Sequence, residues 1–389
     1  MSKDREHFDD YREQTRIKHE ILTKYFTPYF LIRAKAPGEN LVYIDGFAGA
    51  GTYQTDDGAE HGSPLRALSA FADFKPSVAK KMFAIFVEKD KVLFKRLDAA
   101  VAEHFKTLDG LRPPAVVCGA FDEHVTGLLD RIKLKKTRLA PSFLFADPCG
   151  VDGLCFATLT RYLRDGDGEA LLFFNYSGVN RIAGLPFKPG KTLSKLLGDD
   201  DTAEELAKLV KGGTPEEREN AIVSCYLSAL TTAVPDLYCT AFRVEHEDKK
   251  ATSHYLIHLS RDARGFRIMK EVMWKLGDTD GGSGGLALEQ ASTAVGAPLF
   301  RPEWDQLKES ILATLTKGQR DVDYFYTALS ENRGNRLCAP AYKQALLELE
   351  SEERILVRNR FGVPTTANTR MKRLGAPTLG KGHCVALTP

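Results

Sequence analysis

Short apolar runs alternate with amphipathic stretches along residues 41–276 of the chain. Each run has the length of a buried strand, and the stretches between them space their apolar residues three or four positions apart, as surface helices do. This alternation predicts an α/β domain, a Rossmann-like parallel sheet with helices on both faces. The predicted strands are Leu41–Ile44, Met82–Val87, Ala115–Cys118, Ser142–Phe145 and Leu171–Phe174, with a final pair at Leu237–Val244 and Tyr255–Ser260.

The pattern changes at both flanks of this domain. Apolar residues between Thr15 and Ile32 lie on one helical face, which predicts a helical cap over residues 1–40. Polar and charged residues at 178–213 predict a helical insertion, and residues 277–301 are glycine-rich and resemble a linker. Three helical stretches and a hairpin near Ile355–Arg358 follow. They predict a winged-helix domain over residues 302–389.

Composition narrows the class of protein. The 389 residues are 27% charged with a formal net charge of +2, so basic surface for nucleic acid must be local. No apolar run approaches the ~20 residues of a membrane span, and the first residues lack the apolar core of a signal peptide. The seven cysteines include no C-x-x-C pair, so we expect reduced thiols, no structural zinc and a cytoplasmic location.

The first candidate site is the glycine loop after the Leu41 strand. Asp45 ends the strand, and Gly46, Phe47, Gly49 and Gly51 follow in the order G-x-x-G-x-G. A dinucleotide fingerprint has the opposite order, and a carboxylate before the loop suits a cation better than a phosphate. S-adenosylmethionine (SAM) carries a sulfonium and an ammonium. The D-x-F-A-G-x-G strand end resembles the first motif of class I SAM-dependent methyltransferases, and the alternative is a glycine turn without a ligand.

Acids also follow the next two predicted strands. Glu88 ends the Met82 strand, where one carboxylate can accept hydrogen bonds from both hydroxyls of a ribose. Asp122 follows the Ala115 strand after Phe121, where it can accept from an adenine amino group. We therefore predict that Glu88 and Asp122 bind the cofactor, against the alternative that they are ordinary surface acids.

The Ser142 strand ends in Asp147-Pro148-Cys149. An acid and a proline at this position resemble the D-P-P-Y signature of amino methyltransferases, in which the acid accepts from the target amine. The alternatives are a plain Asp-Pro turn, or a C5-type methyltransferase in which the Cys149 thiolate attacks a cytosine ring. We predict amine-type transfer at Asp147 and Pro148.

Three weaker signals surround these motifs. Lys18 on the first helix is within reach of the site, although a solvated helix start is the more common explanation. Thr52–His61 is polar and predicts an irregular flap. Ser63 before Pro64 predicts the N-cap of a helix.

The last segment is basic. No Asp or Glu follows Glu353, while several arginines and lysines do. Such a patch suits a phosphate backbone, although the acids that end the preceding helix would repel one, so the ligand is nucleic acid or a partner protein. The residues proposed for this contact are Arg354, Arg358, Arg360, Arg370, Lys372 and Arg373.

These motifs together resemble the three-Cys-motif partner family, abbreviated TcmP. The resemblance covers KHEIL-x₂-YFTPY, YIDGFAGAG, GSPLRAL, FVEKD, FADPCG and YLIHLSRDARGFRIM, in that order along the chain. It implies a class I SAM methyltransferase with a C-terminal winged helix and a partner protein that carries a radical-SAM-like three-cysteine motif. Where related sequences often have an aromatic residue after Asp147-Pro148, this chain has Cys149, which offers no ring to stack on a flat substrate.

Two functions follow from the sequence. The first is a SAM-dependent methyltransferase that acts on nucleic acid. The second is a non-catalytic interaction protein with a methyltransferase-like fold that works through its partner. A nicotinamide dehydrogenase ranks third because the glycine order opposes it.

Overall fold

The computed structural model describes residues 13–35, 40–55, 58–185, 190–246, 249–277, 304–333, 337–370, 372–373, 376–377, 379–380 and 382–388. Within them, residues 41–260 form the seven predicted strands in the predicted order, together with a two-stranded hairpin that the sequence did not predict. These strands are β1 (Leu41–Asp45), β2 (Thr52–Thr55), β3 (Gly58–His61), β4 (Met82–Glu88), β5 (Ala115–Cys118), β6 (Ser142–Ala146), β7 (Gly168–Phe174), β8 (Tyr238–His246) and β9 (Lys249–Ser260).

A seven-stranded sheet forms the centre of this part of the chain. Its order is β5-β4-β1-β6-β7-β9-β8, and β5, β4, β1, β6 and β7 are parallel. Strand β9 is antiparallel to both β7 and β8. The chain order reverses on either side of β1, and open α/β sheets bind ligands at the carboxyl edge of such a switch point. The predicted Rossmann-like α/β fold is confirmed.

Helices cover both faces of the sheet. Along each strand, side chains alternate between two hydrophobic cores, as the period of a strand requires. Tyr43 and Phe143 pack beneath the first and last helices of the domain, whereas Ile44 and Leu144 pack beneath the middle ones. The helices are α1 (Glu13–Arg33), α2 (Ser63–Ala72), α3 (Pro76–Ala79), α4 (Lys91–Phe105), α5 (Phe121–Leu134), α6 (Phe156–Asp165), α7 (Tyr176–Ala183), α8 (Lys191–Leu197), α9 (Asp200–Val210), α10 (Pro215–Ala233) and α11 (Ala263–Gly277).

Two local predictions were wrong. The Thr52–His61 segment is not irregular, because β2 and β3 pair as an antiparallel hairpin from Thr52 opposite His61 to Thr55 opposite Gly58. Ser63 is not the N-cap of α2. The cap is Gly62 in an extended conformation, and the Ser63 hydroxyl instead hydrogen-bonds the Asp45 side chain. The Ser63 hydroxyl therefore donates to a tertiary acceptor instead of accepting from a local backbone N–H, as an N-cap would.

The C-terminal part has its own core and its own sheet. The sheet order is β10 (Arg320–Asp321), β15 (His383–Leu387), β11 (Ile355–Asn359) and β12 (Pro364–Thr365), with antiparallel pairs throughout. A π-helical segment, Tyr324–Leu329, stands where the sequence predicted an α-helix. These elements match the predicted three helices and hairpin, and the winged-helix assignment stays a prediction. The other elements are α12 (Trp304–Leu315), α13 (Ala339–Ser351), β13 (Lys372–Arg373) and β14 (Ala376–Pro377).

Helix α11 joins the two parts. The Lys270 ammonium donates to the carbonyl oxygens of Ser330 and Leu337, at 2.6 and 2.8 Å. Arg267 pairs with Glu331 at 3.0 Å. Almost all of the predicted linker, residues 277–301, lies outside the described residues. Residues 36–39, at the predicted boundary between the helical cap and the α/β domain, also lie outside them. None of the described helices combines the length and the apolar character needed to cross a membrane.

Candidate functional site

Acidic side chains end three adjacent parallel strands. Glu88 ends β4, Asp45 ends β1, and Asp147 follows β6, and these strands are neighbours in the order β4-β1-β6. Asp122 lies in the first turn of α5, directly after the next strand outward, β5. The topology therefore brings four predicted site acids to one edge of the sheet.

The glycine loop gives this edge a bare backbone. Gly49 and Gly51 have φ values of 61° and 80°, in the left-handed region that favours glycine. A Cβ at Gly49 would meet no atom within 4 Å, so this part of the loop borders open space. Gly46 is needed for packing instead, since a Cβ there would lie 2.5 Å from the Phe121 ring. Phe47 packs on that same ring, with the centroids 5.3 Å apart.

Asp45 lies at the centre of the site and is fully buried. Its carboxylate accepts from the Phe47 backbone N–H at 3.3 Å and from the Tyr43 hydroxyl at 3.4 Å, as well as from Ser63. Burial raises the pKa of Asp45 to about 7, although the Ser63 and Phe47 hydrogen bonds oppose the shift. A cation bound beside this carboxylate would restore its ionised form.

Glu88 joins the glycine loop to the next strand. Its Oε2 accepts from the Gly49 N–H at 2.9 Å, and its Oε1 accepts from the Asp90 N–H at 2.7 Å. Each oxygen of an ionised carboxylate can accept a second hydrogen bond, so Glu88 keeps acceptor capacity for a ligand. The contact fixes the Glu88 carboxylate directly against the open part of the loop.

The structure gives Asp122 partners that the sequence did not suggest. One oxygen accepts from the Cys155 N–H at 3.2 Å, and the other lies 3.0 Å from the Lys195 ammonium. Lys195 belongs to α8, so the helical insertion reaches back to the site. Phe121 is buried beneath the loop against Gly46 and does not stand beside an open adenine site.

Asp147 forms an ion pair with Lys18. The Lys18 ammonium donates to Asp147 Oδ2 and lies 4.9 Å from the centroid of the Phe173 ring. Lys18 is only 4% exposed, so its more common explanation as a solvated helix start was wrong. Burial alone would lower the pKa of Lys18, but the negative charge of Asp147, with smaller contributions from Tyr53 and Asp45, raises it. Lys18 is therefore held as an ammonium.

Pro148 and Cys149 complete this strand end. Pro148 packs against Gly153, where a Cβ would lie 2.5 Å from the proline ring. Cys149 is exposed at the surface of the site. Partial desolvation and the negative charges of Asp147 and Glu88 raise the pKa of its thiol to about 11. A cysteine nucleophile needs the opposite shift, toward the thiolate.

Sequence reasoning missed two side chains beside this ion pair. Tyr53 of the β2–β3 hairpin lies close enough to Lys18 and Asp147 for their charges to affect its pKa, which burial raises to about 12. His254 of β9 stacks on Phe173 with centroids 4.1 Å apart. His254 belongs to no local motif, so no signal in the sequence indicated it, whereas Tyr53 lies in the Thr52–His61 segment that the sequence predicted as a flap.

The four arginines of the predicted basic patch whose side chains the structure describes differ in burial and in ion pairing. Arg370 is 6% exposed and pairs through two nitrogens with Glu350, so its charge is neutralised inside the C-terminal part. Arg354 pairs with Glu309 at 2.9 Å but stays at the surface. Arg358 and Arg360 border the turn after β11, which exposes Phe361. The side chains of Lys372 and Arg373 lie outside what the structure describes.

Comparisons with known proteins add distant structural likenesses. No protein-family model and no curated protein matches the chain. A Legionella pneumophila protein assigned to family-model DUF519 is 12% identical with a TM-score of 0.42, covering 71% of this chain and 96% of that one. An O-methyltransferase from Bacillus cereus, in complex with S-adenosylhomocysteine (SAH), is 10% identical with a TM-score of 0.34, covering 65% and 83%. The plantazolicin methyltransferase BpumL, also in complex with SAH, is 10% identical with a TM-score of 0.30, covering 65% and 86%. These values are too low to support a function, for which the site geometry is the evidence.

Proposed function

We propose that this protein is a SAM-dependent methyltransferase of the amine type that acts on nucleic acid. The observation that carries the proposal is the row of acids on the adjacent strands β4, β1 and β6 beside an open glycine loop. A ligand that combines a sulfonium, an ammonium and a ribose suits three carboxylates and a bare backbone. A phosphate ligand does not, because like charges would meet.

Each acid has a distinct part in binding SAM. Asp45 would hold the ammonium, Glu88 would accept from the ribose hydroxyls, and Gly49 and Gly51 would let the ligand approach the backbone. Asp122 would accept from the adenine amino group in exchange for one of its present partners. When bound, SAM supplies a methyl group on a positively charged sulfur.

Asp147 would orient the acceptor amine. One of its oxygens binds Lys18, which leaves Oδ1 for an N–H of the acceptor. Accepting that hydrogen bond directs the nitrogen lone pair toward the methyl group and stabilises the charge that develops on the nitrogen. Pro148 stiffens the turn that fixes the Asp147 backbone.

A C5-type mechanism is the less favourable assignment. It requires Cys149 to attack as a thiolate, whereas partial desolvation and the neighbouring carboxylates of Asp147 and Glu88 raise the pKa of this thiol to about 11. Amine-type transfer needs no thiolate. The Cys149→Ser variant described in the Discussion separates the two mechanisms.

We also propose that the C-terminal part, predicted from the sequence as residues 302–389, forms a winged helix that contacts nucleic acid. The support is the order of three helical segments and an antiparallel sheet, with Arg358 and Arg360 at the turn between β11 and β12. The resemblance to the TcmP family further suggests a protein partner with a three-cysteine motif. Duplex binding that weakens steeply with salt would support phosphate contacts, and salt-independent capture of the partner would favour a protein interface.

Calorimetry with SAM and SAH tests the cofactor directly. We expect binding of both by the full-length protein. No binding at millimolar ligand would contradict the assignment. A survey of radiolabelled methyl transfer to DNA, RNA and protein then tests catalysis, and binding without transfer to any acceptor would favour the non-catalytic alternative.

The surface arginines have a matched control. Arg358→Ala with Arg360→Ala should lower the affinity for duplex and reduce its salt dependence, because two phosphate contacts are lost. Lys317→Ala removes an exposed charge elsewhere in the C-terminal part and should change neither quantity. Equal effects of both variants would show that the contact is not centred on the β11–β12 turn.

A further inference from the structure

The Lys18–Asp147 pair joins residues 129 positions apart and sits where the proposed acceptor must bind. Lys18 is 4% exposed, and the Phe173 ring lies on one side of its ammonium. The acids and the phenol nearest to Lys18 are Asp147, Asp45 and Tyr53, and each favours the ammonium form of Lys18 by raising its pKa. The acceptor end of the site therefore contains a fixed cation beside its carboxylate.

Buried hydrogen bonds hold helix α1, and with it the Lys18 ammonium, in a fixed position. The Tyr25 hydroxyl donates to Glu169 Oε2 at 2.5 Å, and the Tyr29 hydroxyl donates to the Ser142 carbonyl at 2.7 Å. Both tyrosines are buried, and these bonds tie α1 to strands β6 and β7. Lys18 stands two turns earlier on the same helix, so its position is set by the fold.

We propose that Lys18 is a specificity-determining residue that neutralises Asp147 and restricts the acceptor site to an uncharged nucleophile. The exocyclic amine of a nucleobase fits this description. The protonated side-chain amine of a protein lysine does not. This inference rests on the proposed function and names its acceptor class.

The charge balance of the Lys18–Asp147 pair is the physical reason that the acceptor must be uncharged. An unpaired carboxylate would attract an alkylammonium, whereas the Lys18–Asp147 pair has no net charge. A second ammonium within a few ångströms of Lys18, and next to the SAM sulfonium, meets two repulsive interactions in a partly desolvated site. A neutral amine can still donate one N–H to Asp147 and needs no deprotonation before it attacks.

Sinefungin is a suitable probe because it carries an ammonium where SAM carries its methylated sulfur. SAH has the same frame without that charge. The ratio of the SAH and sinefungin dissociation constants, measured by calorimetry, reports how well the acceptor end tolerates a cation. We expect the wild-type protein to show little preference for sinefungin.

Two substitutions should move this ratio in opposite directions. Lys18→Met leaves Asp147 unneutralised and should shift the ratio toward sinefungin by about tenfold, which corresponds to ~1.4 kcal/mol. Asp147→Asn leaves Lys18 unpaired and should shift it away from sinefungin by about the same factor. The double variant should return to the wild-type ratio.

Lys24→Met is the matched control. Lys24 lies on the same helix, is 48% exposed and pairs with Glu20, so its loss should leave the ratio unchanged. If Lys18→Met does not fold, Asp147→Asn alone still tests the direction in which the ratio of dissociation constants shifts.

Three outcomes would overturn the inference. They are a strong wild-type preference for sinefungin, a ratio that neither single variant changes, and transfer of labelled methyl groups to polylysine by the wild-type protein. Normal binding of SAM and SAH with an unchanged ratio overturns this inference alone. Absence of all binding by the wild-type protein overturns the proposed function together with it.

Discussion

Two regions of the molecule bury a lysine, and they treat its charge in opposite ways. At the carboxyl edge of the sheet, Lys18 pairs with Asp147, and its pKa is raised. Between the two parts of the chain, Lys270 donates to two backbone carbonyl oxygens and lies 4.1 Å from the Phe266 ring centroid. Burial lowers the pKa of Lys270 to about 7.

The difference shows that a carboxylate partner, rather than burial, decides whether a buried lysine stays charged. Around Lys270, carbonyl dipoles and an aromatic face orient the ammonium, and the charges of Glu271 and Glu331 only partly offset the cost of burial. Lys18 is therefore suited to act as a permanent charge in a site. Lys270 is suited to hold two parts of the chain together at a strength that depends on pH.

The largest expected effect is that of Lys270→Met on the free energy of unfolding, compared with the wild-type protein. The pKa of Lys270 is about 7 in the folded protein and 10.5 in the unfolded chain. Between these two pH values, the unfolded state therefore binds more protons than the folded state. Wild-type stability should therefore rise with pH through this window, relative to the variant, by up to about 4 kcal/mol between pH 7 and 10.

Urea titrations at pH 7, 8.5 and 10 measure this difference. Lys275→Met, at an exposed position of the same helix, is the control and should show no such trend. A constant difference between wild type and Lys270→Met at all three pH values would mean that Lys270 keeps its proton despite burial.

Asp147→Ala removes the carboxylate that forms an ion pair with Lys18. The variant should lose methyl transfer by about a hundredfold or more while binding the product SAH, which lacks the sulfonium charge, nearly normally, because Asp147 acts mainly in the transition state. Cys149→Ser should lose little. An equally large loss in both variants would support a covalent C5-type mechanism, and full activity in both would place the reaction elsewhere.

Glu88→Ala tests an acid of the same edge that is held by backbone N–H groups rather than by a lysine. We expect SAM binding to weaken by about 1–3 kcal/mol, the cost of lost charge-assisted hydrogen bonds. Asp122→Asn should cost less, since Asp122 must first exchange the Lys195 ammonium or the Cys155 N–H. Calorimetry that finds Asp122→Asn to be the more damaging change would reverse the proposed ranking of these acids.

The smallest effect concerns Asp45, a buried acid without a lysine partner. Its pKa of about 7 means that the carboxylate is mostly protonated at pH 6 and half ionised at pH 7. Because the ammonium of SAH favours the ionised form, the affinity for SAH should rise about fivefold between pH 6 and 7. Asp45→Asn should bind more weakly and lose this dependence, and a wild-type affinity that does not change with pH would contradict the assignment of the ammonium to Asp45.

Much of the fold and part of the site were predictable because their causes are local. Apolar runs and helical spacing set the strands and helices, and a parallel strand that ends in an acid places that acid at the carboxyl edge. Asp45, Glu88 and Asp147 were therefore predictable as a group. Arg370 was equally visible as a charge after Glu353, but its burial against Glu350 depends on how α13 packs, which no local pattern encodes.

The sequence by itself determined which strands form, which acids end them and where the glycines allow a left-handed backbone. The tertiary structure alone decided what those acids touch. Lys18 reaches Asp147 because α1 packs across β6 and β7, Lys195 reaches Asp122 because the helical insertion folds back, and Ser63 turns from a helix cap to a partner of Asp45. The physical reason is that strand and helix periodicity act over a few residues, whereas ion pairs depend on distances that only the packed chain fixes.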